Sequence, residues 1–134
     1  MPSLAVGQLC ISSIGRIPQL DPLLGTPFEA DPGAPERLID DIEEALGGVD
    51  ILAVNHGVAR QARYEDVDAA AFDHTLAVNL RAPFLLAHRV LPGMRERGFG
   101  RVLFISSVAA FRGGVIGPDY ASSKASIDGG MYPR

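Results

Sequence analysis

The stretch VDILAVNHG, residues 49–57, is a near-continuous apolar run that ends in a polar turn. Such a run is typical of a strand that is covered on both faces, as strands are in a parallel sheet. A second apolar run, RVLFI at residues 101–105, is followed by two serines. Because parallel strands end at a common edge where ligands bind, we expect the NHG turn and the two serines to lie close together.

Helical patterns precede, separate and follow these two strands. Apolar residues recur at helical spacing from Pro35 to Leu46, where two glycines end the pattern. A longer pattern covers residues 70–97, and a third helix begins near Asp119. This alternation predicts an α/β fold with an incomplete doubly wound (Rossmann-like) parallel sheet and helices on both faces. Residues 1–30 contain four prolines and no sustained period, so we expect an irregular segment there.

The composition is that of an ordinary globular domain. The chain has 134 residues, 47% of them hydrophobic and 21% charged, and a net charge of −4. With this charge and no basic run, we expect no binding to nucleic acid or to an anionic membrane. No apolar run approaches the roughly 20 residues of a membrane helix. Cys10 is the only cysteine and no signal peptide is evident, so we expect a cytoplasmic protein.

Three side chains suggest acid–base chemistry. Tyr120 and Lys124 are four residues apart, so on a helix they share one face. A free phenol is a poor acid–base catalyst near neutrality because its pKa is about 10, and a fixed ammonium group nearby stabilises the phenolate. With the Ser107 hydroxyl to hold a substrate oxygen, these groups predict a site that moves a proton on or off that oxygen. A lone Tyr-x-x-x-Lys pair on an exposed helix face is the alternative.

The sequence around these residues resembles the short-chain dehydrogenase/reductase (SDR) family. The resemblance rests on ISSVAA at 105–110, YASSKA at 120–125 and the thirteen-residue step from Ser107 to Tyr120. It implies that Ser107 positions a carbonyl, that Tyr120 is the general acid/base, and that Lys124 activates it and binds the nicotinamide ribose. Ser106 is then structural. Residues 31–134 would form the central and catalytic part of a Rossmann-like domain.

A fourth catalytic residue follows from the same resemblance. Asn79, in VNL at 78–80, matches the family asparagine that kinks the long helix and whose main-chain carbonyl holds a relay water. Pro83 lies four residues later and has no N–H to donate to that carbonyl. The sequence therefore gives an independent reason to expect a distorted helix at Asn79. A chance proline kink is the alternative.

The resemblance also implies a cofactor, NAD or NADP. GVDIL at 48–52 and the following turn resemble the family segment Asn-Asn-Ala-Gly, with Asn55 and Gly57 matching and with Val54 and His56 departing from it. These two matching residues, together with Tyr120 and Lys124, are the expected contacts on the nicotinamide side. Asp31 falls where the family contacts adenine, although Asp31-Pro32 is also ordinary turn chemistry.

The Gly-rich turn that cradles the dinucleotide pyrophosphate is not recognisable in this sequence. SSIGR at 12–16 has some likeness to its end, but the glycine spacing is wrong. We therefore expect a chain truncated at both ends relative to the family, with weak dinucleotide binding. The three histidines are far apart in sequence and predict no metal site.

The resulting functional expectation is an NAD(P)-dependent oxidoreductase that interconverts an alcohol and a ketone. Its apolar substrate pocket would be flanked by Val108, Ala110, Phe111 and Ile116. The family packs the long helix and the Tyr-Lys helix between subunits, which implies a homo-oligomer. One alternative is a catalytically inactive chain that acts through oligomerisation. Another is an epimerase or dehydratase that uses the same Tyr-Lys pair.

Overall fold

A computed structural model describes residues 8–11, 31–113 and 116–131. Its elements, in chain order, are β1 (Gln8–Ile11), α1 (Ala34–Leu46), β2 (Ile51–Val54), a 3-10 turn (Tyr64–Asp66), α2 (Ala69–Leu76), a π-helical segment (Ala77–Arg81), α3 (Ala82–Arg97), β3 (Arg101–Phe104), α4 (Ala109–Arg112) and α5 (Pro118–Gly130). The alternation of strands and helices is the one that the sequence predicts.

The three described strands form one parallel sheet in the order β1-β2-β3. In register, Leu52 of β2 pairs with Leu9 on one side and with Val102 on the other. The fold is therefore an incomplete Rossmann-like α/β fold, as predicted. The irregular segment predicted for residues 1–30 contains a strand at 8–11, which sequence reasoning misses because four residues are too few to establish a period.

One apolar core joins α1, β2 and α3. Amphipathic α1 and the middle of α3 pack against each other and against the inward side chains of β2. The fully or nearly fully buried members are Leu38, Ile39, Ile42, Val49, Leu52, Val54, Leu86, Ala87, Val90 and Met94. This core holds the carboxyl end of β2 in a fixed position beneath the loop that follows it.

The opposite side of β3 is not covered by the described helices. Leu103 and Ile105 alternate with the inward-facing residues of the strand and are 47% and 43% exposed. In the residues that the structure describes, the sheet thus buries one face more deeply than the other. At the carboxyl edge, where β2 and β3 end, the structure describes residues 55–113 and 116–131.

The helix ends agree with the glycine signals. Gly47 after α1 has φ 80°, and Gly98 after α3 has φ 71°; both are left-handed conformations that close a helix. The long helical pattern is not one regular helix, because the π-helical segment divides α2 from α3. It contains Asn79, where the sequence predicts a distortion. None of the helices among the described residues is long and apolar enough to cross a membrane.

Candidate active site

Helix α5 presents Tyr120 and Lys124 on one face, as the spacing predicts. The helix starts at Pro118, whose fixed φ suits a first turn, so both residues lie in its first two turns. The Lys124 Nζ atom is 5.9 Å from the centroid of the Tyr120 ring. It also donates a hydrogen bond of 2.8 Å to the Ile105 carbonyl at the end of β3. The ammonium group is therefore anchored between the phenol and the sheet edge.

Burial shapes the electrostatics of this lysine. Its side chain is only 5% exposed, and desolvation lowers the pKa of Lys124 from its ordinary value, while the negative charge of Asp128 opposes that shift. Lys124 is thus a desolvated cation beside an aromatic hydroxyl. In such surroundings a charge acts more strongly on its neighbours than it does in water.

Asn79 ties the π-helical segment to both sides of the site. The residue is fully buried, and its Oδ1 accepts from the Val58 N–H at 2.8 Å. Its Nδ2 donates to the Val58 carbonyl at 2.9 Å and to the Ser123 Oγ at 3.1 Å. The Ser123 hydroxyl donates in turn to the Tyr120 carbonyl at 2.7 Å. A continuous set of hydrogen bonds therefore runs from the loop after β2 to the first turn of α5.

Gly57 is exposed, and its backbone lies close against the polar groups. A Cβ atom at this position would lie 3.2 Å from the Asn79 Oδ1 and 3.7 Å from the Lys124 Nζ. A side chain at this position would therefore crowd Asn79, and its absence lets the backbone approach the ammonium group. The contact of Asn55, Gly57 and Lys124 with a nicotinamide cofactor stays a prediction.

The two serines after β3 differ in their partners. The Ser106 hydroxyl donates to the Lys124 carbonyl at 3.2 Å and to Asp128 Oδ2 at 2.9 Å, contacts that suit a structural residue. The Ser107 Oγ accepts from the Ala109 N–H at 3.2 Å, in its own turn. Ser107 lies on the sheet edge two residues beyond Ile105, whose carbonyl holds Lys124.

Asp31 lies at the start of α1. Its Oδ1 accepts from the Gly33 N–H at 3.0 Å, and its Oδ2 forms an ion pair with Arg37. The Gly33 hydrogen bond and then the Arg37 side chain lower the pKa of Asp31. These contacts are ordinary turn chemistry, so a contact with adenine stays a prediction. SSIGR at 12–16 lies outside the described residues.

Several polar residues of this region escape sequence reasoning. Thr75 donates to the buried Asp119 at 2.6 Å, which joins α2 to the start of α5 directly before Tyr120. Ser123 links Asn79 to the tyrosine turn. Both contacts cross 44 residues, and the one available signal was the small polar character of Ser123 next to the lysine. Of the predicted pocket residues, Val108 and Phe111 are largely exposed.

The comparisons with known proteins agree with this geometry. The family described as short chain dehydrogenase matches residues 28–131. Nodulation protein G of Azospirillum brasilense is 38% identical over 94 residues, which cover 70% of this chain and 38% of that protein. The acetoacetyl-CoA reductase of Allochromatium vinosum is 36% identical over 93 residues, 69% of this chain and 38% of the reductase.

A third relative aligns with more of the chain. The 2-dehydro-3-deoxy-D-gluconate 5-dehydrogenase of Bacillus subtilis is 32% identical over 129 residues, 92% of this chain and 51% of that enzyme. The chain thus spans between about two fifths and one half of the length of these relatives. Within the described ranges, no group of three or more His, Cys, Asp or Glu side chains is arranged to hold a metal ion.

Proposed function

The chain belongs to the short-chain dehydrogenase family, and we propose that it is an NAD(P)-dependent oxidoreductase that interconverts an alcohol and a ketone. The observation that carries this proposal is the position of Lys124, buried against the Gly57 backbone and 5.9 Å from the Tyr120 ring. A desolvated ammonium group close to a phenol suits proton transfer next to a bound dinucleotide.

In the proposed reduction, the Tyr120 hydroxyl gives its proton to the carbonyl oxygen of the ketone. Ser107 holds that oxygen by a hydrogen bond, and the Lys124 ammonium stabilises the phenolate that remains. When bound, the nicotinamide supplies the hydride to the carbonyl carbon, or accepts it in the oxidation direction. The product is then a neutral alcohol, and the lost proton must return to Tyr120.

We assign the return of the proton to the Lys124 and Asn79 side of the site. In a regular helix the donor to the Asn79 carbonyl would be residue 83, and Pro83 has no N–H, so in that register the carbonyl is left to accept from a water. The Asn79 side chain already makes hydrogen bonds with Val58 and Ser123. We therefore assign the relay role to the main-chain carbonyl of this residue and not to its side chain. The π-helical segment orients that carbonyl differently from a regular helix.

The cofactor contacts in this proposal are Asn55, Gly57, Tyr120 and Lys124 on the nicotinamide side and Asp31 on the adenine side. NAD and NADP both remain candidates, because the residues that read the adenine ribose are not identified by the sequence. Binding should be weak, since the sequence of residues 1–30 offers no recognisable Gly-rich turn for the pyrophosphate.

We further propose that two copies associate through the long helix and α5. A groove of about 380 Å³ lies along the long helix next to Met131, the residue after α5, and Phe84 in its lining is 52% exposed. The other lining residues are Leu76, Ala77 and Leu80, with the charged Asp73 and Arg81. Burying this groove against a second copy would remove apolar surface from water. Phe84→Glu should lower the mass measured by light scattering, while Tyr64→Glu, at an exposed position outside the groove, should leave it unchanged.

The cofactor cradle is tested by titrating the purified chain with NADH and with NADPH and following nucleotide fluorescence. We expect saturable binding with a dissociation constant on the order of 1 mM. Gly57→Val should raise that constant at least about tenfold, because the new side chain would crowd the Asn79 Oδ1 and the Lys124 Nζ. Gly129→Ala is the matched control, since a Cβ there meets nothing within 4 Å.

Two contrary results can be told apart. Failure of both nucleotides to bind at several times this concentration contradicts the assignment of a nicotinamide cofactor. Equal affinity in Gly57→Val and the wild-type chain contradicts the proposed position of the ribose beside Gly57.

A further inference from the structure

His56 follows Asn55 in the loop after β2 and is almost fully buried against the π-helical segment. Its Nε2 lies 3.0 Å from the Val78 carbonyl oxygen. In the sequence, this histidine stands out only as a departure from the family segment. The contact gives it a partner in the most irregular part of the long helix.

The Val78 carbonyl lacks the helix donor that it would otherwise have. In a regular helix its donor would be the N–H of Ala82, but that group donates to the Ala77 carbonyl in the wider π-helical pattern. In the π-helical pattern the donor to Val78 would be residue 83. That residue is Pro83, which has no N–H. Both helical registers therefore leave this buried carbonyl without a backbone donor.

The chemistry of the contact fixes the form of the imidazole. A carbonyl oxygen only accepts hydrogen bonds, so the Nε2 atom of His56 must carry the hydrogen. Burial lowers the pKa of His56, the Val78 hydrogen bond opposes this, and the positive charge of Lys124 lowers the pKa further. The ring is thus neutral near pH 7, with its hydrogen on Nε2.

The same loop is tied to the helix a second time, two residues later. The Val58 N–H and carbonyl are both bonded to the Asn79 side chain. His56 thus contacts Val78, and Val58 contacts the next helix residue, Asn79. The two contacts hold the loop on either side of Gly57. A Cβ on that glycine would lie 3.7 Å from the Lys124 Nζ, so the close approach of Gly57 to Lys124 depends on both contacts.

We propose that His56 is a positioning residue that supplies the hydrogen-bond donor missing at Val78 and, with Asn79, fixes Gly57 over Lys124. Without this donor the buried Val78 carbonyl would have no hydrogen bond. The resulting loss of free energy would favour rearrangement of the π-helical segment. The role in placing a cofactor rests on the function proposed above. The hydrogen bond itself does not, and it can be tested without any nucleotide.

The first test measures the tautomer in the wild-type chain by two-bond ¹H–¹⁵N correlation spectra of the imidazole groups. We expect His56 to be neutral at pH 7 with the hydrogen on Nε2. Because His88 lies on the exposed side of α3, its signals serve as an internal reference for a solvated ring. A His56 ring that carries its hydrogen on Nδ1 alone overturns the proposal, because its Nε2 atom could then not donate to Val78.

The second test uses variants. His56→Leu keeps much of the volume and removes the donor, whereas the amide of His56→Gln offers an N–H at similar reach. We expect hydrogen exchange of the Leu80, Arg81 and Ala82 amides to accelerate at least about tenfold in His56→Leu, and to stay within about threefold of wild type in His56→Gln. His88→Leu is the control and should leave this exchange unchanged.

The nucleotide titration separates positioning from general stability. If the chain binds NADH or NADPH, His56→Leu should raise the dissociation constant about fivefold or more, and His56→Gln should restore it. Equal values in all three proteins contradict the link to Gly57. Should the wild-type chain bind neither nucleotide, the proposed function fails, while the tautomer and exchange data still decide the role of His56. Should His56→Leu not fold, the tautomer alone decides it.

Discussion

The apolar core and the polar cluster of this protein are buried to nearly the same degree by different means. The core lies between α1, β2 and α3, with Ile42 and Leu86 fully buried. The polar cluster consists of His56, Asn79, Ser123 and Lys124, at 9%, 0%, 0% and 5% exposure. In the core, contacts need only the right volume. In the cluster, each side chain makes a hydrogen bond that requires one orientation of the partner, as His56 does with Val78 and Lys124 with Ile105.

This difference separates stability from chemistry. Apolar burial is non-directional, so a smaller side chain in the core costs stability without changing the site edge. Hydrogen bonds of the cluster are directional, so a change there alters positions of reacting groups more than it alters the free energy of unfolding. A variant within the apolar core, such as Ile42→Ala, should therefore lower stability without changing the site, and a core variant that changes both would contradict this division.

The largest effect is expected for Tyr120→Phe, which removes one hydroxyl from the site. Turnover of ketones with excess NADH or NADPH should fall at least about 100-fold, because proton transfer loses its donor. The midpoint of urea denaturation should stay near that of the wild type. Tyr64→Phe is the matched control, since Tyr64 is 82% exposed on the 3-10 turn. Retention of more than a few per cent of the rate in Tyr120→Phe removes this residue from the mechanism.

For Ile42→Ala, in the core, we expect lower stability and an unchanged site, the reverse of the result for Tyr120→Phe. Its free energy of unfolding should fall by about 3 kcal/mol, because methyl groups are lost and a cavity remains. Leu46→Ala, at the exposed end of the same helix, should change it by less than about 0.5 kcal/mol. Under conditions where both variants are folded, the NADH dissociation constant should match that of the wild type. A changed affinity in Ile42→Ala would show that the core and the site are not separable.

Lys124→Arg tests whether the cluster needs an ammonium group or only a charge. A planar guanidinium cannot occupy the single donor position at the Ile105 carbonyl without displacing its neighbours. We expect kcat/KM to fall at least about tenfold, which corresponds to about 1.4 kcal/mol of transition-state stabilisation. Steady-state kinetics at several pH values provide the measurement. Unchanged kinetics would mean that Lys124 contributes only its charge, or nothing.

The smallest effect is expected for Pro83→Ala, where the two regions meet at the start of α3. The new N–H can bond a carbonyl of the π-helical segment, either that of Val78 or that of Asn79. We expect a slight gain in stability, about 0.5 kcal/mol, together with a few-fold slower turnover. Denaturation and kinetics on one preparation provide both values. If the turnover of Pro83→Ala equals that of the wild type, or if the variant is less stable, Pro83 has no part in the relay.

Local signals account for most of the elements and for half of the site. The apolar runs predict β2 and β3, and glycines predict the ends of α1 and α3, because these features depend on neighbours within a few residues. The four-residue spacing of Tyr120 and Lys124 places them on one helix face for the same reason. Pro83 marks the distorted region because its missing N–H is a local property.

Only the tertiary structure decides how these local pieces meet. The pairing of Asn79 with Ser123, of Thr75 with Asp119 and of His56 with Val78 joins residues that are 44, 44 and 22 positions apart. No periodicity contains this information, because it depends on how far each helix is rotated about its axis when the core closes. Strand β1 likewise exists only through its pairing with β2. The sequence by itself predicted which groups would carry the chemistry, and the packing of α1 and α3 on the sheet decided which of them are buried together.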